Sequence, residues 1–234
     1  MPHAIVTGAT QGIGKAIAEK FLSEGFSVAI CARSKNDLQS VEKEWKAQYP
    51  NAAIITHQAD LSVKEEAIAF AEAVLKQFPT VEVLVNNAGL YFPGLLSNEP
   101  DGQLEMLMAV NLYSAYHITR HVLPGMKKAK AGHIFNMCSI ASLRAYPNGG
   151  AYSITKYALL GFSDNLRLEL VPDNIKVTSI CPGATYSRSW SQSGVSPDRL
   201  MTTQDIADTV WSAYKLSPQA NIDTLVIRPQ QGDL

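Results

Sequence analysis

Seven short apolar runs alternate along the chain with longer segments whose apolar residues recur at three- and four-residue spacing, and this alternation restricts the fold more than any other feature. The runs are His3 to Thr7, Ser27 to Ala32, Ala53 to His57, Val81 to Val85, His133 to Cys138, Ile175 to Cys181 and Ile222 to Ile227. Such short runs, apolar at nearly every position, suit strands buried on both faces. The intervening segments read as helices. Ile13, Ala16, Ile17, Phe21 and Leu22 share one face before Gly25, and Asn36 to Gln48 ends at Tyr49-Pro50. Ile68, Ala71, Val74 and Leu75 follow a Ser62-x-x-Glu65 pattern expected to form a capping box. Asp101 to Lys130, Tyr152 to Leu170 and Gln204 to Leu216, the last behind Thr202-x-x-Asp205, complete the set.

Parallel strands need long crossovers, and the helices supply them, so the expected fold class is α/β: a doubly wound parallel sheet of about seven strands with helices on both faces. No repeat, low-complexity tract or linker interrupts the 234 residues, which predicts a single domain over 1–234. A formal net charge of −1, from 20 basic and 21 acidic residues, gives no electrostatic reason to expect nucleic acid or a membrane surface as partner. The start Met1-Pro-His-Ala-Ile-Val-Thr-Gly is not leader-like and no run approaches the roughly 20 apolar residues of a spanning helix, so a cytoplasmic location is expected. Cys31, Cys138 and Cys181 lie in apolar runs without Cys-x-x-Cys spacing or clustered histidines, which predicts buried reduced thiols and no metal site.

Chemistry concentrates at two places. Between the first strand and first helix stands Thr7-Gly8-Ala-Thr10-Gln11-Gly12-Ile13-Gly14, whose glycines permit a tight turn and close approach of backbone amides to a ligand; a diphosphate can then rest on the helix N-terminus. Further on, Ser139 follows an apolar run, and Tyr152 and Lys156 stand four residues apart at the start of a helix. Residues at that spacing share a helix face, which sets an acid beside a cation and near a serine hydroxyl.

These two stretches, together with Asn86-Asn87-Ala88-Gly89, Asn111 and Pro182-Gly183, resemble the short-chain dehydrogenase/reductase family, including its 3-oxoacyl-carrier reductases and carbonyl reductases, over residues 3 to 228. The resemblance implies a Rossmann-type domain and a hydride-transferring enzyme. It makes Tyr152 the general acid or base, and gives Lys156 the tasks of lowering the tyrosine pKa and holding the nicotinamide ribose. Ser139 would donate to the substrate oxygen, and Asn111 would bind a water linking Lys156 to solvent. The cofactor contacts it implies are Thr7, Gly8, Thr10, Gln11, Gly12, Ile13, Gly14, Asp60, Leu61, Asn87, Ala88, Gly89, Pro182, Gly183, Thr185 and Ser187, with Tyr152 and Lys156. Ser187 stands where the family usually has threonine.

At the end of the second run, Ala32-Arg33-Ser34 offers no carboxylate for a free ribose 2′-hydroxyl and a guanidinium for a 2′-phosphate, so NADP is the expected cofactor. Substrate loops are expected at about 90–100, 140–150 and 184–202, with Tyr91, Phe92, Leu143, Tyr146, Tyr186 and Trp190 as walls for a small apolar or ring-bearing carbonyl compound or alcohol, and Arg144 and Arg188 as contacts for the alternative, an anionic or carrier-bound substrate. A short mobile lid is expected between Ser187 and Thr202. The segments 101–130 and 152–170 carry more apolar surface than one sheet face needs, which predicts a homodimer or homotetramer through them. A dinucleotide-binding sensor or scaffold without turnover is the alternative function, and the intact Ser139, Tyr152 and Lys156 weigh against it.

Overall fold

The computed structural model describes residues 1–187 and 194–233. Its seven strands are β1 (His3–Thr7), β2 (Ser27–Ala32), β3 (Ile54–Gln58), β4 (Val83–Asn86), β5 (Gly132–Met137), β6 (Ile175–Pro182) and β7 (Thr224–Ile227). They form one parallel sheet in the order β3-β2-β1-β4-β5-β6-β7. The order reverses between β1 and β4. There the crossovers diverge to opposite faces and leave a crevice beyond the carboxyl ends of the strands.

Successive strand residues point to opposite faces, and the core divides accordingly. Ala4 and Val6 of β1, with Val28, Ile30, Val83 and Val85, pack on one side against α1 (Gly12–Ser23), α2 (Lys35–Gln48) and α7 (Thr203–Tyr214). Ile5, Ala29, Leu84, Ile134 and Val177 face the other side, under α3 (Lys64–Leu75), α5 (Ser114–Ala129) and α6 (Gly150–Leu170). Trp45 anchors α2. Its ring is fully buried and its indole N–H donates to Glu19 of α1 at 3.0 Å, so truncation to alanine would cost about 3–5 kcal/mol. Phe21, Phe26, Trp211 and Tyr214 stack edge to face where α1 meets α7.

Two expectations need correction. The segment 101–130 is not one helix: α4 (Gln103–Met108) passes into a π-helical turn at Ala109–Tyr113 before α5. The extra residue in that turn aims Asn111 inward, where it is buried. The Ser62-x-x-Glu65 box does not form either. The Ser62 hydroxyl donates to Asp60 at 2.7 Å, Val63 takes the N-cap position without a side-chain bond, and Glu66 accepts instead from the Asp60 backbone N–H at 2.7 Å. The helix starts one residue too late for Ser62 to be its N-cap, and the hydroxyl instead closes a local turn with the preceding carboxylate. The box at Thr202 and Asp205 forms as expected. All three cysteines are free and buried. Among the described residues no helix is long and apolar enough to cross a membrane, and no cluster of metal-ligating side chains is present. Arg188 and Trp190, with the rest of 188–193 in the lid expected between Ser187 and Thr202, lie outside the described residues.

Candidate active site

A cleft of about 1100 Å³ opens over the carboxyl ends of the strands, from the glycine-rich turn to the ends of β5 and β6. Gly8 and Gly12 adopt φ of +63° and +58°, a region costly for other residues, which folds the turn back toward α1. Gly14 leaves room for the Asn87 carboxamide, which donates to the carbonyls of Thr7 at 2.8 Å and Gly8 at 3.1 Å. Thr10, Gln11 and Ile13 line the cleft, and the first turn of α1 carries no carboxylate, so its free N–H groups present an unopposed positive end. This is a cradle that fits a diphosphate.

Thr7 departs from its expected role. It is buried and does not line the cleft; its hydroxyl accepts from the backbone N–H groups of Asn87 and Ala88, both at 2.9 Å. It holds the β4 loop, while Gly8, Asn87, Ala88 and Gly89 form the wall.

At one end of the cleft stand Arg33, Ser34, Asp60 and Leu61. The Ser34 hydroxyl caps α2 by accepting from Asp37 N–H at 3.2 Å. Asp37, which the sequence did not single out, lines the same end. The Asp60 carboxyl is held below its ordinary range by its bonds from Ser62, with the Arg33 charge adding to them. One of its oxygens is therefore already occupied by Ser62.

At the other end β5 delivers Ser139 and the first turns of α6 deliver Tyr152 and Lys156. Lys156 is buried, donates to the Met137 carbonyl at 2.8 Å and lies 5.6 Å from the centre of the Tyr152 ring. Burial pushes the Tyr152 hydroxyl up to about 12, against the pull of its hydrogen bond with Ser139. Burial also draws Lys156 below its ordinary value. Burial, not the neighbouring cation, sets the position of the Tyr152 hydroxyl in this site. Tyr152 is therefore protonated at neutral pH.

Asn111 braces this end. Its amide donates to the Leu90 carbonyl at 3.0 Å and to the Thr155 hydroxyl at 2.9 Å, and its oxygen accepts from Leu90 N–H at 2.7 Å. Both side-chain donors go to protein groups, joining the β4 loop to α6. A second brace was not visible in the sequence: Glu99 accepts from Ala151 N–H at 2.8 Å in the first turn of α6 and so holds the backbone that carries Tyr152. Tyr91 packs edge-on to Tyr152, with ring centres 4.8 Å apart, and hydrogen-bonds to Tyr146. Pro182, Gly183, Thr185 and Ser187 line the cleft beside them. Arg144 and Asp233 close its mouth with an ion pair.

A doubly wound sheet with a glycine-rich phosphate cradle at its switch point and a Ser-Tyr-Lys cluster beside it defines a dinucleotide-binding α/β protein. Its family follows from the sequence as a whole: residues 2–195 match the short chain dehydrogenase model, and the chain belongs to that family of oxidoreductases. An uncharacterized oxidoreductase of Staphylococcus epidermidis is 29% identical, with 97% of this chain and 96% of that protein covered. Among solved structures, an alcohol dehydrogenase from Thermococcus sibiricus complexed with 5-hydroxy-NADP superposes with a TM-score of 0.92 at 28% identity, covering 100% of this chain and 99% of that one. A metagenomic short-chain oxidoreductase in complex with NADP gives 0.84 at 34% identity, covering 98% and 97%.

Proposed function

We propose that the protein interconverts a ketone or aldehyde and an alcohol with NADP(H), Tyr152 serving as general acid in reduction and base in oxidation. The observation that carries the reading is the meeting of Ser139, Tyr152 and Lys156 at one end of a cleft whose other end holds Arg33. The cradle from Gly8 to Gly14 and the loop from Asn87 to Gly89 fit the dinucleotide, and the NADP complexes of two similar proteins support the same assignment. Bound nicotinamide supplies or accepts the hydride. Ser139 and Tyr152 then orient the carbonyl oxygen by hydrogen bonds, and the Tyr152 hydroxyl releases its proton to that oxygen as negative charge develops. Lys156 stabilises the phenolate left behind and so eases the departure of the proton. Oxidation runs these steps backward from the phenolate and gains with rising pH.

The acting form is a homodimer or homotetramer. Tyr113 and Tyr116 beside and within α5, and Ile154, Tyr157 and Leu168 on α6, are exposed large apolar side chains on the two elements expected to pair. Light scattering at micromolar concentration tests this, and a monomer refutes it. The activity is tested by screening neutral ketones and aldehydes for consumption of NADPH and of NADH. Faster turnover with NADPH is expected; a preference for NADH overturns the cofactor assignment, and no consumption with any carbonyl overturns the reaction.

A further inference from the structure

We propose that Asp233 sets the charge preference of the substrate pocket by neutralising Arg144, so that the enzyme selects uncharged carbonyl compounds and replacement of Asp233 opens it to carboxylate-bearing ones. This rests on the carbonyl-reductase reading above. Arg144 and Asp233 both line the cleft, although 89 residues separate them in sequence. Arg144 Nη2 donates to Asp233 Oδ2 at 2.5 Å, and Arg228 Nη1 donates to the same oxygen at 2.9 Å. Of the two arginines only Arg144 belongs to the cleft wall. The second oxygen, Oδ1, is buried without a hydrogen-bond partner and lies 3.5 Å from where a Cβ on Gly183 would stand. Asp233 therefore reaches between the loop after β5 and the loop after β6, over the end of the cleft that holds Tyr152.

Among the described residues, the other cation of that end is Lys156, whose ammonium is bonded to Met137. The remaining wall is aromatic or apolar, chiefly Tyr91, Phe92, Tyr146 and Pro147. An anionic substrate entering here meets the Asp233 carboxylate and a guanidinium that is already paired, so its desolvation is not offset. A neutral ring-bearing ketone loses nothing by the pairing. Without the Asp233 charge, Arg144 becomes a free bidentate partner for a carboxylate.

The test compares acetophenone with 4-acetylbenzoate in the wild type, Asp233→Asn, and Asp233→Asn combined with Arg144→Gln. The wild type is expected to favour acetophenone at least tenfold in kcat/KM. Asp233→Asn should narrow that ratio about tenfold or more through a lower KM for 4-acetylbenzoate, and the added Arg144→Gln should restore it. A ratio unchanged within threefold by Asp233→Asn, or not restored by the second change, overturns the proposal. Calorimetric titration of 4-acetylbenzoate into each protein with NADP present reads the same preference without turnover. Tighter binding to Asp233→Asn than to the wild type supports the inference and equal binding overturns it. Failure of the wild type to reduce any ketone counts against the reaction alone. Asp233→Ala replaces Asp233→Asn if the latter does not fold.

Discussion

Replacing Gly14 by alanine should loosen the phosphate cradle and the sheet's switch point together. A Cβ at this position would stand 2.6 Å from the Gly8 carbonyl oxygen and closer still to the Asn87 carboxamide nitrogen, both well inside contact distance. One neighbour is backbone and the other is pinned by two hydrogen bonds, so neither yields freely. Forced displacement of this kind costs about 1–3 kcal/mol. Losing the two Asn87 bonds adds roughly 0.5–1.5 kcal/mol each. Alanine is favoured over glycine within a helix by about 1 kcal/mol, which leaves a net loss near 3 kcal/mol. Gly125 of α5 provides the contrast, because a Cβ there would meet nothing within 4 Å. Gly125→Ala should stabilise by about 0.4–1 kcal/mol. Urea unfolding of both variants at one protein concentration measures the difference, and NADPH titration should show at least tenfold weaker binding by Gly14→Ala only. Unfolding of Gly14→Ala within about 0.5 kcal/mol of the wild type, with unaltered NADPH affinity, would refute the packing reasoning.

Other perturbations test separate parts of the structure. His133 is buried against Phe135, and burial, aided by the Lys176 charge, holds its imidazole down to about 3. Because the unfolded chain binds that proton near pH 6.5 and the folded one does not, stability present above pH 6.5 falls as pH drops toward 3, by about 3 kcal/mol at pH 4. Unfolding curves should show this loss and His133→Gln should lack its share of it; equal acid sensitivity would contradict the assignment. Arg33→Ala should raise the KM for NADPH by about 10–100-fold and leave that for NADH within threefold, as expected of a lost phosphate pair worth roughly 1.5–3 kcal/mol. Tyr157→Glu, which places a charge on the exposed face of α6, should shift the light-scattering mass toward the monomer with the far-ultraviolet dichroism intact.

The sheet was legible because its signal is local: strands buried on both faces must be apolar throughout, as Val83 to Val85 and Val28 to Cys31 are. Ser139, Tyr152 and Lys156 were legible for a related reason, since a four-residue spacing fixes a shared helix face. The π turn around Asn111 was not, because an apolar pattern does not distinguish one extra residue in a helix from a wide buried face. Asp233 and Glu99 carried no local signal; their partners lie 89 and 52 residues away and meet them only when the loops fold together. The Tyr152 hydroxyl shows a further limit. Spacing names the neighbouring cation, but burial raises the hydroxyl, and burial belongs to the fold.

The most direct measurement is the rate of NADPH-dependent reduction of a ketone by the wild type and by Tyr152→Phe, with NADPH affinity measured alongside. The proton transfer proposed for Tyr152 predicts a fall in kcat of about 10²–10⁴ with NADPH affinity within threefold. Retention of wild-type kcat by Tyr152→Phe would contradict it.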